Sequence, residues 1–127
     1  MPNIKRKKIL LVEDNQDQRH MMQVALQQSG YTIIGVSGAQ QALLYSELSA
    51  PDLILLDLSL ESNVDGWEVL KRLKASAATA SIPVLVVSAV IDETCIQQAR
   101  ADGADDYLMK PFEIPELLRR VERILSV

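Results

Sequence analysis

Two stretches, DLILLDL at 52–58 and PVLVVSAV at 83–90, limit the available folds more than anything else in the chain. Each is a continuous apolar run rather than an apolar-polar alternation. Strands that read this way are buried on both faces, and a parallel sheet covered by helices on both sides is the arrangement that buries them. Three shorter runs, Ile9–Val12, Thr32–Val36 and Tyr107–Met109, bring the expected strands to five, with the two long runs giving strands over Leu53–Leu58 and Ile82–Val90.

Helical spacing fills the intervals. Met21, Met22, Ala25, Leu26 and Ser29 recur at helical intervals, and Gly30 is placed to end that helix. Ala39–Leu48 reads as a helix with blurred periodicity. Val69, Leu70 and Leu73 oppose Lys71, Arg72 and Lys74, while Ile96 and Ala99 lead to Gly103. Leu117, Leu118, Val121, Ile124 and Leu125 form the clearest stripe. Strand and helix alternating five times predicts an α/β doubly wound domain. The 127 residues suit one domain, taken as 1–127 with residues 1–7 a basic lead-in, and neither linker nor low-complexity segment interrupts them.

Charge and composition exclude several classes. Of thirteen cationic residues, four are Lys5, Arg6, Lys7 and Lys8, which leaves residues 9–127 with nine cations against seventeen anions. Such an acidic body does not suit nucleic acid as a direct ligand. The basic run reads as a solvated lead-in, with an anionic-surface patch as the alternative. Cys95 has no partner for an intrachain disulfide. No apolar stretch reaches the ~20 residues of a membrane span, and ILLV gives way at once to EDNQDQ where a signal peptide would continue. The expectation is a cytoplasmic protein without a membrane partner.

In an open parallel sheet, ligands gather at the carboxyl ends of the strands. The residues there are Glu13 and Asp14 after the first run, Asp57 in the third, Ser88 in the fourth and Lys110 after the fifth. Each has an ordinary reading: a helix cap at Asp14 or Asn15, a strand-end hydroxyl at Ser88, a surface lysine at Lys110. Asp57 is harder to explain so, because an acid within LILLDL must be desolvated unless the strand opens into a site. Carboxylates brought together repel by about 4 kcal/mol per pair at ~4 Å and an effective dielectric of 20. A hard divalent cation relieves that repulsion, and Mg²⁺ takes oxygen ligands of this kind. No His or Cys cluster offers a site to zinc or copper, and His20 stands alone in a helix. A carboxylate in such a site can act as a nucleophile on phosphorus. Asp57 would attack, with Mg²⁺, Lys110 and Ser88 each covering one phosphoryl oxygen.

With these residues in place, the chain resembles the receiver domain of two-component response regulators, single-domain chemotaxis regulators included. The resemblance runs from about Lys8 to Leu125. It is carried by LVEDN at 11–15, PDLILLDLSL at 51–60, DGWEVLKRLK at 65–74, IPVLVVSA at 82–89 and GADDYLMKPF at 103–112. It implies a flavodoxin-like five-stranded parallel sheet of order 2-1-3-4-5 flanked by five helices. It also implies Asp57 as phosphoacceptor and Asp14 as direct metal ligand, with Glu13 acting through water and Ser59 lending its backbone carbonyl. Ser88 would be the hydroxyl that moves toward the phosphoryl group, Tyr107 the aromatic that swings inward, and Lys110 the phosphate-binding lysine joined to Pro111 by a cis bond. The surface affected would comprise the fourth helix, fifth strand and fifth helix.

By the same resemblance, the phosphoryl donor is a sensor histidine kinase or histidine phosphotransfer protein, and the output is contact with a downstream protein. The chain would transfer a phosphoryl group only to itself and hydrolyse its own adduct, without being an enzyme on another substrate. The segment between Asp57 and Gly66 departs from the commonest family form: it is one residue longer and lacks the usual Pro. Trp67 beside it is expected to pack rather than react. Other classes fit less well. An aspartyl phosphohydrolase of the haloacid-dehalogenase type wants a second Asp where Ser59 stands, and a nucleotide or flavin binder wants a glycine-rich first loop where EDNQDQ stands. A receiver-like scaffold that is never phosphorylated remains the alternative.

Overall fold

The computed structural model describes residues 6–58, 66–89 and 92–126. Ten elements alternate through them: β1 (Lys8–Val12), α1 (Gln16–Gln28), β2 (Thr32–Val36), α2 (Ala39–Leu48), β3 (Leu53–Asp57), α3 (Gly66–Ala75), β4 (Val84–Ser88), α4 (Glu93–Ala101), β5 (Asp106–Met109) and α5 (Ile114–Leu125). All strand pairs are parallel, in the order β2-β1-β3-β4-β5. Fold class and strand order both match the expectation.

Side chains two apart on a strand share a face, and the core divides accordingly. Leu10, Val12, Ile54, Leu56, Val84 and Val86 face α2, α3 and α4, meeting Ala42, Val69, Leu70, Leu73 and Ala99. Ile9, Leu11, Leu53, Leu55, Leu85 and Val87 face α1 and α5, meeting Met22, Leu26, Leu117 and Val121. Every residue of β3 and β4 is buried because each strand has helices on both sides. Each fully buried Leu, Ile or Val contributes about 1.5–3 kcal/mol.

Some boundaries shift from those expected. β1 starts one residue early, at Lys8, so the last member of the basic run is part of the sheet; its Nζ donates to Ser49 O at the end of α2. β3 ends at Asp57 and β4 at Ser88, so both polar residues are the last of their strands. Met21, expected in the buried stripe of α1, is 46% exposed. Met22 and Leu26, one turn apart, are the buried pair, and Met21 is turned some 100° away from them. α1 and α4 are each followed closely by a glycine with positive φ, Gly30 at +100° and Gly103 at +106°, the left-handed conformation that ends helices at little steric cost.

Candidate functional site

β1 lies between β2 and β3, and the chain crosses over it on passing from β2 to β3. The carboxyl ends of β1 and β3 therefore flank the point where strand order reverses, the usual place for a ligand crevice. Glu13 and Asp14 follow β1 there, and Asp57 ends β3. Their carboxylate oxygens lie within 4.8 Å of one another. Helix capping does not compete for Asp14: Asn15 is the N-cap of α1, its Oδ1 accepting from the Gln18 N–H at 2.9 Å.

Lys110, just past β5, reaches across to two of these carboxylates. Its ammonium is 2.7 Å from Glu13 Oε1 and 3.1 Å from Asp57 Oδ2. Glu13 and Asp57 are only 2% and 4% exposed, so the lysine offsets repulsion that water would otherwise screen. Burial raises the Glu13 pKa, as do the hydrogen bond and negative charge of Asp57, and Lys110 only partly compensates; the result is a pKa of about 7. Burial by itself would lower the Lys110 pKa, but the hydrogen bond to Glu13 and the charge of Asp57 outweigh it and raise the value. The cluster thus holds one proton more readily than ordinary carboxylates do.

The donor set fits a hard divalent cation. Three carboxylates from two strand ends face an open cleft of about 390 Å³, with Lys110, Gln16 and Gln18 also on its wall. Oxygen ligands on one side and open space for water and phosphate oxygens on the other are what Mg²⁺ requires. A neighbouring, more apolar hollow of about 340 Å³ shares Gln18 and Lys110 and adds Met21, Ala89, Pro111 and Phe112; the exposed Met21 side chain forms part of this wall.

The other expected residues fall as follows. Ser88 ends β4 fully buried, and Tyr107 on β5 is buried too. Tyr107 is paired with Val86, and Ser88 is two residues beyond Val86 on the same face of β4. The Lys110–Pro111 bond is cis. Trp67 packs half-buried against the core. Ser59 and the ESNV segment lie outside the described residues. Sequence reasoning did not single out three further contacts. Asn15 N–H donates to Glu13 Oε2, Arg19 NH1 donates to the Glu13 carbonyl, and Gly66 abuts the backbone at Asp57. The first and last lay in segments that the sequence flagged, LVEDN and DGWEVLKRLK, whereas Arg19 lay outside them.

The family model for the response regulator receiver domain matches residues 9–122. The chain belongs to that family. Among relatives, this receiver is 39% identical over 119 residues to the phosphate regulon transcriptional regulatory protein PhoB of Pseudomonas aeruginosa, covering 94% of this chain and 52% of that one. The receiver spans about half the length of the curated relatives it matches. Its fold superimposes on the chemotaxis protein CheY4 of Vibrio cholerae with a TM-score of 0.89 at 26% identity, covering 95% of this chain and 100% of that one. It superimposes equally on the receiver domain of the sensor histidine kinase PA1611 of P. aeruginosa, with a TM-score of 0.87, 28% identity, and 97% and 100% coverage. That structure holds a magnesium ion in its active-site cleft. Receiver domains are signalling proteins of two-component systems, and the Glu13–Asp14–Asp57 cluster fits their Mg²⁺-dependent phosphorylation site. Among the described residues, no helix is long and apolar enough to cross a membrane.

Proposed function

We propose that this receiver accepts a phosphoryl group on Asp57 from a sensor histidine kinase or a histidine phosphotransfer protein in the cytoplasm, and signals by changing its contacts with a downstream protein. The observation that carries the reading is the convergence of three carboxylate groups within 4.8 Å at one sheet edge, with the Lys110 ammonium bonded to two of them. Glu13, Asp14 and Asp57 would hold Mg²⁺, with the backbone carbonyl of Ser59 as a further ligand. When bound, the cation supplies positive charge for the phosphoryl oxygens and keeps the carboxylates ionised.

The chain's own groups do the rest. An oxygen of Asp57 bonds to phosphorus as the donor's phosphorus–nitrogen bond breaks and the imidazole leaves. Lys110, already beside Asp57, exchanges carboxylate for phosphoryl oxygen, and the Ser88 hydroxyl donates to another oxygen. The apolar hollow beside Lys110 would seat the donor. Hydrolysis of the adduct returns the carboxylate and inorganic phosphate, so the chain turns over only its own acyl phosphate. Movement of Ser88 changes the space beside Tyr107, and a packed interior answers with discrete alternatives rather than a continuum. α4, β5 and α5 would carry that change outward; Arg120 of α5 already bonds Asp106 Oδ1 and Tyr107 O on β5.

Mg²⁺ followed by a small acyl-phosphate donor should change Trp67 emission and give a hydroxylamine-labile adduct. Asp57→Asn should keep the fold and lose both. An adduct surviving Asp57→Asn would move the acceptor elsewhere, and no adduct on the unsubstituted chain would leave a non-phosphorylated interaction scaffold.

A further inference from the structure

Arg19 lies one turn into α1, half-buried, and its NH1 donates to the backbone carbonyl of Glu13 at 2.7 Å. Its path crosses β2 at Gly35, where an added Cβ would lie 3.4 Å from Arg19 Cδ and 3.6 Å from Cγ. These are ordinary contact distances, so the stem that carries the guanidinium to the end of β1 packs against the backbone of Gly35, beside Gln23, whose Oε1 would lie 3.0 Å from the same added Cβ. Glu13 is otherwise held by its N–H to Val36 O at 3.0 Å, by Asn15 N–H to Oε2, and by Lys110 to Oε1. The carbonyl that Arg19 grips belongs to the single peptide unit joining Glu13 to Asp14. A peptide unit is planar, so turning that carbonyl turns the Asp14 N–H with it and swings the Asp14 side chain relative to Glu13 and Asp57.

We propose that Arg19 is a positioning residue for the phosphorylation site, fixing the Glu13–Asp14 peptide plane so that both carboxylates meet Asp57 around one cation. The inference rests on the proposed Mg²⁺-dependent phosphorylation. Its electrostatic sign makes it testable. A guanidinium near three carboxylates competes with a cation, so if charge alone mattered, removing it would tighten Mg²⁺ binding. Positioning has the opposite sign, because partners that orient metal ligands strengthen the site when present.

The test is calorimetric titration with Mg²⁺ of the full chain and of Arg19→Met, which keeps an apolar stem over Gly35 but removes the donor. Amide ¹H–¹⁵N spectra are recorded alongside. Arg19→Met is expected to weaken Mg²⁺ binding on the order of tenfold and to shift the Asp14 amide resonance in the metal-free protein. Unchanged or tighter Mg²⁺ binding, or an unmoved Asp14 amide, overturns the assignment. Should Arg19→Met not fold, Arg19→Leu, which likewise removes both the charge and the donor while keeping an apolar stem, carries the same comparison with the same signs. Loss of Mg²⁺ binding in the unsubstituted chain would overturn the phosphorylation reading itself, whereas the Asp14 amide measured without metal tests Arg19 alone.

Discussion

A methyl group on the α-carbon of Gly66 would stand 2.5 Å from the carbonyl oxygen of Asp57, and 2.4 Å from the α-carbon of Leu58. The first residue of α3 is thus in backbone contact with the residue that ends β3. No side chain fits between them, and because the neighbours are backbone atoms they cannot swing aside as a flexible side chain would. Strand end and helix start must move together.

Gly66→Ala should therefore push the acceptor out of register with Glu13 and Lys110. The expected cost in stability is about 1–3 kcal/mol, the range for overpacking a filled interior. Urea unfolding measures that cost. The rate of adduct formation should fall further than the loss of folded protein accounts for, since the 3.1 Å contact between Lys110 and Asp57 depends on where β3 ends. An alanine variant phosphorylated at the original rate per folded molecule would show that the two elements are not coupled.

Glu13 makes stability depend on pH. Its carboxyl has a pKa of 4.5 without the folded surroundings and about 7 within them, raised first by burial and then by Asp57. The folded state binds this proton more tightly than the unfolded chain does. Its contribution is therefore fully present below 4.5 and is lost as pH rises through about 7. Without divalent cations, stability measured by urea unfolding should decline across that window, and Glu13→Gln should flatten the decline. Mg²⁺ affinity should run the other way, rising as the proton leaves. A Glu13→Gln curve parallel to that of the parent would reject the assignment.

Asp57→Asn removes one of the charges that hold the Glu13 proton in place while keeping nearly the same volume. The Glu13 pKa should then drop back toward 4.5, because both contributions from Asp57 raise it and Lys110 remains to lower it. The carboxyl ¹³C shift of Glu13 followed against pH reads this directly. Above neutral pH the variant should be more stable than the parent by on the order of 1 kcal/mol, since a repelling pair is gone and Lys110 keeps Glu13 as its partner. A less stable variant would mean that Asp57 supports the fold more than it strains it.

Much of this architecture could be read from the order of residues. Strands buried on both faces leave no polar position along their length, so the first polar residue marks the strand's end. Asp57 and Ser88 were visible for that reason. α2 was the faintest helix, and the cause is its exposure: it buries Ala39, Ala42 and Ser46 while Leu44, Tyr45 and Leu48 face solvent, so apolar residues lie all around it. Contacts fixed by geometry rather than residue type could not be read. Nothing in a string of letters says that Lys110 bonds Glu13 across 97 positions, that Arg19 reaches a backbone carbonyl, or that Gly66 is glycine because Asp57 is behind it. Such contacts depend on how strand ends and helix starts are juxtaposed, which is set by packing of the whole sheet.

Ser88 and Tyr107 lie on adjacent strands, on the same face, and are 0% and 5% exposed. With so little space around them, a change at one must be taken up by the other or by Ala99 and Ala104, which share Tyr107's core cluster. Tyr107→Ala should cost about 3–5 kcal/mol by leaving a cavity, whereas Tyr107→Phe keeps the ring and should cost far less. Signalling separates from stability in Ser88→Ala. That variant retains Asp57, Lys110 and the metal cluster, so it should still form the adduct, though more slowly. What it should lose is the consequence: in the parent, phosphorylation should alter amide hydrogen exchange across α4, β5 and α5, and in Ser88→Ala those amides should exchange alike with and without the phosphoryl group. Equal protection changes in parent and variant would place the link between site and surface outside Ser88, leaving Lys110 and the backbone leading from it into α5 as the route.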